Sequence, residues 1–116
     1  MQKTYTMPLA TANTNLDGTG TIVSVVTAPP GGCTIVQRAA IARVTTTAGR
    51  VSWFIKRQDV WTLDAVMPVD ARTVGATVPP FQCSESCSVP LQEGDQYGAA
   101  PYASEAMSAK VVTEAA

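Results

Sequence analysis

The chain has 116 residues, a length typical of one domain, and 46% of them are apolar, which is the composition of a folded protein. The formal net charge is −1 and the eight lysines and arginines are scattered, which argues against a nucleic-acid partner. No apolar run reaches the roughly 20 residues of a membrane-spanning helix, and the first residues lack the pattern of a secretory signal. We therefore expect one domain, made in a cytoplasm.

The first segment predicts an edge strand or an arm. Residues 4–13 begin with threonines that alternate with larger side chains, which is typical of a strand. Pro8 has no N–H for a sheet ladder, so this segment belongs at a sheet edge or outside the sheet. Residues 13–20, NTNLDGTG, have the glycine spacing of a firm turn. We therefore divide the chain into an N-terminal arm or edge strand, 1–15, and a β-sandwich domain, 16–116.

The centre of the chain predicts a β-hairpin. Residues 21–27 predict a strand, and residues 28–32, APPGG, predict the loop that follows it. Residues 34–46 are rich in β-branched side chains, and residues 50–56 alternate strictly. The interruption at 47–49 contains a glycine, so we predict that the two flanking segments pair as the central antiparallel hairpin. The second of them presents two faces, one with Val51, Trp53 and Ile55 and the other with Arg50, Ser52, Phe54 and Lys56.

A further strand is predicted at 60–69, after a short polar turn at 57–59. Its alternation places five apolar side chains on one face, namely Trp61, Leu63, Ala65, Met67 and Val69. Asp64 falls on the opposite face, where we expect it to be solvated.

The last third of the chain predicts further strands separated by turns. Residues 77–82 are extended, and Pro79-Pro80 is expected where the chain turns a corner between sheets. Residues 92–95 predict a turn, and residues 106–113 predict a last strand, although their composition also favours a helix. The seven or eight strands predict an all-β fold, a single-domain β-sandwich of jelly-roll type with antiparallel strands.

The sequence contains no recognisable catalytic or cofactor-binding set. It has no histidine, which removes the commonest general base and the commonest metal ligand. No lysine lies in a motif that would activate a serine. The spread-out carboxylates predict solvated charges rather than a catalytic pair or a calcium site; they are Asp59, Asp64, Asp70, Glu85, Glu93 and Asp95. We therefore predict that the protein is not an enzyme and that it has no cofactor and no metal.

The three cysteines leave alternatives open. An odd number argues against a complete disulfide framework. Cys83 and Cys87 would be about 13 Å apart on a straight strand, too far for a disulfide, although they could meet in a turn. Reduced thiols are the main expectation for these two and for Cys33, and the alternatives are a Cys83–Cys87 bridge or a zinc site.

The two tryptophans also allow two interpretations. Aromatic side chains on an exposed sheet face can stack on sugars. However, Trp53 alternates with Val51 and Ile55, and Trp61 alternates with Leu63. We therefore expect both tryptophans to pack in the core.

Several segments together resemble the capsid decoration proteins, or cement proteins, of tailed bacteriophages. They are TANTNLDGTGTIVSVVTA at 11–28 and TIVQRAAIARVTTTAGRVSWFIK at 34–56, joined by a loop that contains Gly31-Gly32. The DGTG turn, the strand after it, the glycine loop and the T-T-A-G hairpin are similar to that family. The segment VPLQEGDQYGAAP at 89–101 resembles the family's turn before a late strand. These motifs cover most of the chain but are turn motifs, and CSESC at 83–87 departs from the pattern.

The resemblance implies a jelly-roll-like homotrimer on the outside of a bacteriophage capsid. Such a virion protein would bind the major capsid protein where capsomers meet and stabilise the shell, after being made in the host cytoplasm. Nucleic acid, a membrane and a small-molecule substrate are not expected partners. We expect the first segment to form the capsid contact by pairing with a sheet edge, through Lys3, Tyr5, Met7, Pro8 and Leu9. The alternative function is a carbohydrate- or receptor-binding module of a phage head or tail fibre.

Overall fold

The structure is a computed structural model, and it is all-β. It describes residues 1–42, 49–71, 73, 75, 77, 81–103 and 107–115. The strands are β1 (Gln2–Leu9), β2 (Val23–Thr27), β3 (Cys33–Ala42), β4 (Gly49–Arg57), β5 (Val60–Val69), β6 (Phe81–Leu91), β7 (Gln96–Pro101) and β8 (Met107–Ala115). No helix occurs among these residues, so the predicted fold class is confirmed, and the last segment is a strand.

The strands form two four-stranded antiparallel sheets. The first sheet has the order β1-β8-β3-β6 and the second has the order β2-β7-β4-β5. The pairs β4–β5, β3–β6, β2–β7 and β1–β8 are all antiparallel. The chain is therefore one long antiparallel ribbon with β4–β5 at its tip. The ribbon is rolled so that its successive strand pairs fall alternately in the two sheets, which is the jelly-roll arrangement predicted from the sequence.

The predicted pairing of β3 with β4 is wrong. β3 lies in the first sheet between β8 and β6, whereas β4 lies in the second sheet between β7 and β5. Both segments have the composition of central strands, but in a rolled ribbon these consecutive strands cross from one sheet to the other. Residues 47 and 48 of the predicted turn, and Pro79-Pro80 of the predicted corner, lie outside the described residues.

The tight hairpin of the fold is β4–β5. Its two turn residues, Gln58 and Asp59, have φ values of 54° and 62°. A two-residue type I′ turn requires positive φ at both positions, which is why asparagine and glycine are usual there. The polar turn predicted at 57–59 is confirmed, but it holds two residues in a conformation that their side chains disfavour.

The inner faces of the two sheets enclose the apolar core. Trp53 of β4 and Tyr97 of β7 are fully buried in it, and their rings stack with centroids 5.7 Å apart. Leu9, Ile35 and Val111 of the first sheet are equally buried. The prediction that Trp53 packs in the core is confirmed.

A β-bulge in β5 changes which side chains face this core. Ala65 pairs with Trp53, but the next residue of β4, Phe54, pairs with Leu63. Asp64 is therefore an extra residue in β5, and the alternation of side chains reverses at this point.

The bulge divides the predicted apolar face of β5 into two parts. Met67 and Val69 pack in the core, as predicted. Trp61 and Leu63 lie beyond the bulge, on the outer face of the second sheet, and Asp64 is directed to the interior. The predictions of one continuous face and of a core position for Trp61 are therefore wrong, whereas Asp64 is exposed as predicted, with its carboxylate hydrogen-bonded.

The segment 10–22 covers the outer face of the second sheet. The backbone N–H of Asn13 donates to the carbonyl of Pro101 at 2.9 Å. The side-chain amide of Asn13 donates to the carbonyls of Thr19 and Thr21, at 3.0 and 2.9 Å, and so fixes the shape of the segment. Three outward-facing residues are fully buried beside it: Ser52, Phe54 and Ala100. β4 is therefore covered on both faces.

Candidate binding surface at the first strand

β1 is an edge strand. It pairs residue by residue with β8, from Gln2 opposite Glu114 to Leu9 opposite Met107. Among the described residues β1 pairs with no other strand, so one side of its backbone is open. An open strand edge presents N–H and C=O groups that another chain can pair with.

The strand positions the five predicted contact residues in different ways. Lys3, Tyr5, Met7 and Leu9 alternate on the side of β1 that faces the other sheet, and Pro8 lies on the opposite side. Leu9 is fully buried and Tyr5 is half-buried against the core. Lys3, Met7 and Pro8 are exposed. The structure therefore presents three of the five residues, while Leu9 anchors the strand.

Residues 1–15 contact the rest of the chain at several places. β1 pairs along β8, Asn13 donates hydrogen bonds to Pro101 of the other sheet and to the carbonyls of Thr19 and Thr21, and Arg50 donates to the carbonyl of Thr14. The division of the chain at residue 15 stays a prediction.

A cavity of about 270 Å³ opens beside the first half of β1. Its lining is mostly apolar and consists of Met1, Lys3, Tyr5, Pro29, Cys33, Thr113 and Ala115. The pairing of β1 with β8 and of β8 with β3 brings these residues together. Four of them lie far from β1 in the sequence, so their common site could not be predicted from the sequence.

The cavity contains one thiol. Cys33 is buried, and burial raises the pKa of its thiol above the ordinary value. The thiol is therefore protonated near neutral pH and contributes an apolar surface rather than a nucleophile.

A polar cluster lies between the sheets at the opposite side of the sandwich. A bulge in β3 between Ile35 and Gln37 turns Arg38 inward, and its side chain is only 11% exposed. Its guanidinium donates to Glu85 of the neighbouring strand at 2.6 Å and to Asp64 of the other sheet at 2.9 Å. This cluster links the sheets, and the prediction that both carboxylates are loop charges is wrong, because both lie on strands and pair with Arg38.

Tyr97 completes the cluster. Its hydroxyl accepts a hydrogen bond from Arg38 at 2.8 Å and donates one to Asp64 at 2.7 Å. Burial and the carboxylate of Asp64 together raise the pKa of Tyr97. Burial alone would lower the pKa of Arg38, but its bonds to Glu85 and Tyr97 outweigh burial and raise it. The cluster therefore holds its protons firmly, as a structural link would.

Another carboxylate expected to be solvated is also paired. Asp95 is buried in the turn between β6 and β7, where it accepts hydrogen bonds from Arg57 at 2.6 Å and from the backbone of Gln92 at 2.9 Å. The bond from Arg57 lowers the pKa of Asp95. The turn predicted at 92–95 is confirmed, with Asp95 as its internal hydrogen-bond acceptor.

The cysteines are free thiols, as mainly expected. Cys83 and Cys87 lie on the continuous strand β6, half-buried and on its inward side, with Glu85 between them. Burial raises the pKa of Cys87, although Arg38 opposes this effect. Within the described ranges, no three histidine, cysteine, aspartate or glutamate side chains are grouped as a metal ion would require.

The part of the chain that the structure describes contains no helix long and apolar enough to cross a membrane.

Comparison with known proteins adds no identification. No family model matches the chain, and no curated protein is similar to it.

Proposed function

We propose that this protein is a structural virion protein that decorates the outside of a bacteriophage capsid and stabilises the shell. The observation that carries the proposal is the open edge of β1 on a jelly-roll sandwich, with Lys3, Met7 and Pro8 exposed along it. An extended segment of a capsid subunit can add to such an edge through backbone hydrogen bonds. The jelly roll recurs in viral capsid proteins, and the turn motifs resemble those of decoration proteins.

In this proposal β1 stays in the sandwich and receives the partner. Leu9 is fully buried, so an arm that left the sheet would expose a core side chain. The partner strand instead adds beside β1 as a fifth strand of the first sheet. A homotrimer would present three such edges to the shell, and their combined binding would far exceed that of one edge.

Mixing experiments with heads that lack the protein test this contact. Thr4 and Thr6 are exposed on β1, opposite the side that faces the core, so T4K/T6K should fold normally. Lysines on an edge strand oppose further pairing, so this variant should lose most of its occupancy on sedimented heads. The matched control is T62K on β5, an exposed threonine on another edge strand. Equal occupancy of both variants would show that β1 is not the contact.

Two further measurements test the proposed location on the phage head and the proposed homotrimer. Immunogold electron microscopy should place the protein on the outer surface of the phage head, and label confined to the tail would contradict decoration. Light scattering after size exclusion should give three times the chain mass of 12.1 kDa. A monomer both in solution and on the shell would contradict the trimer.

A second candidate is a carbohydrate-binding module, and the position of Trp61 favours it. Trp61 is half-buried on the outer face, and the ammonium of Lys56 lies 5.6 Å from its ring centroid. Sugars stack on such partly exposed rings, whereas Trp53 is fully buried and should not respond to them. Tryptophan fluorescence should therefore change with glycans only through Trp61, and W61F should abolish the change. An unchanged spectrum across a glycan panel would remove this candidate.

A further inference from the structure

The cavity beside β1 has two chemical parts. Its interior is formed by apolar or small groups, with Ala115 of β8 and Cys33 of β3 directly paired across the sheet. Its rim carries Lys3, which is the single charged side chain among the described residues of the lining. Lys3 is exposed and makes no ion pair with any residue that the structure describes. The cavity therefore suits a ligand with an apolar group and a neighbouring negative charge.

The size of the cavity suits one large side chain. In another protein, an apolar cavity of about 150 Å³ holds a benzene molecule. The volume here, about 270 Å³, leaves room for a phenylalanine or leucine side chain together with its approach from solvent.

The open edge of β1 indicates that the ligand is a polypeptide. Met1 and Lys3 line the cavity two residues apart, on the side of the chain that faces the other sheet. A strand added beside β1 would direct alternate side chains to the same side. One such side chain, opposite Met1, would enter the cavity from the β1 side, where Met1, Lys3 and Tyr5 line it. The next, two residues along, would lie opposite Lys3.

We propose that this cavity receives a phenylalanine or leucine of an extended partner segment, and that an aspartate or glutamate two residues along binds Lys3. The inference rests on the proposed function for the identity of the partner, a capsid subunit, but it specifies the side chains that the partner must carry. Backbone pairing alone is insensitive to sequence, so the cavity and Lys3 would select the correct segment.

The probe is a short acetylated and amidated threonine peptide with phenylalanine at one position and glutamate two positions earlier, the order of a strand that adds antiparallel to β1. Titration into the ¹⁵N-labelled protein should shift the amide signals of Lys3, Tyr5, Cys33 and Thr113. Replacing the phenylalanine of the peptide by serine should abolish the shifts. Absence of binding by the original peptide at millimolar concentration overturns the proposal.

Charge exchange tests the contact with Lys3. K3E should weaken binding by about tenfold, because attraction across the strand pair becomes repulsion. A peptide with lysine in place of its glutamate should restore binding to K3E. The control is K110E on β8, which makes the same charge change on the opposite face of the first sheet and should bind like the wild type. Equal affinities of K3E and K110E overturn the assignment of Lys3.

Filling the cavity tests the apolar contact. A115L adds a side chain to an exposed position of the lining, so its circular dichroism and thermal midpoint should match the wild type. It should lose the phenylalanine peptide, and full binding by this variant overturns the cavity as the site. Peptide binding by a protein that never coats heads would refute the proposed function alone. Coating without peptide recognition would refute this inference alone.

Discussion

The two faces of the second sheet bury aromatic side chains by different means. On β4, Trp53 faces the other sheet and Phe54 faces outward, and both are fully buried. The inner face is covered by a second sheet with many apolar side chains of its own. The outer face is covered by the segment 10–22, which is held on the sheet by hydrogen bonds from Asn13 to Pro101 and from Arg50 to Thr14, and by close backbone approach at Gly18.

This difference predicts different sensitivities. The inner face depends on apolar volume, and neighbouring side chains can adjust when one of them changes. The outer face depends on a fixed path of the backbone over the sheet. Gly98 of β7 illustrates this, because a Cβ there would lie 2.8 Å from the ring of Trp61 and 3.0 Å from Ile22. We therefore expect that a Cβ added at a glycine where the segment 10–22 approaches the sheet will destabilise the outer face. Shortening a buried side chain should lower stability on either face.

The largest expected effect is the truncation of either aromatic residue of β4. W53A and F54A should each lower the free energy of unfolding by about 3–5 kcal/mol, because each leaves a large void at a fully buried position. Chemical denaturation of both variants measures the two losses. A loss below about 1 kcal/mol for F54A would show that the segment 10–22 does not cover the outer face in solution.

The next effect concerns Gly18, where the segment crosses β5. Its φ is +91°, and a Cβ there would collide with the backbone carbonyl of Trp61. G18A should therefore lower stability by about 3 kcal/mol, from positive φ and collision together. The matched control is G31A, where φ is +88° but a Cβ would meet nothing. It should lose about 1 kcal/mol, and equal losses in thermal denaturation would contradict a close crossing at Gly18.

The sequence predicted what depends on alternation and turn chemistry. The run Val51, Trp53, Ile55 identified a strand with one core face, and the polar residues at 57–59 identified its turn. It did not predict the partner of β3, because hairpins and crossings between sheets use the same strand composition. The bulge at Asp64 was equally hidden, since a single extra residue has no distinctive composition. The cavity beside β1 was not predicted either, because its lining comes together only when strands from the two ends of the chain pair with each other and with β3.

A smaller effect is expected in the polar part of the interior. R38M leaves Asp64 and Glu85 without their cation, but these carboxylates are 21% and 38% exposed. The loss should therefore be about 2 kcal/mol, below that of a fully buried pair. Replacing both carboxylates and the hydroxyl of Tyr97 as well, in R38M/D64L/E85L/Y97F, should recover most of it, because no charge or hydroxyl is left unpaired. Denaturant midpoints compare the variants, and a quadruple variant no more stable than R38M would show that the cluster is needed for packing as well as for charge.

The smallest expected effect is a gain in stability at the turn of the β4–β5 hairpin. Asp59 has a φ of 62°, in the second position of a type I′ turn where glycine is preferred. D59G removes the steric strain of that conformation and should raise stability by about 1 kcal/mol, seen as a higher thermal midpoint. The control is D59A, which keeps a Cβ and should give no gain, and an equal gain from both would assign the effect to the lost charge. Because the turn lies outside both faces, the stability change of D59G should simply add to that of W53A and to that of G18A in double variants. A non-additive change in D59G/G18A would mean that the segment 10–22 depends on the turn.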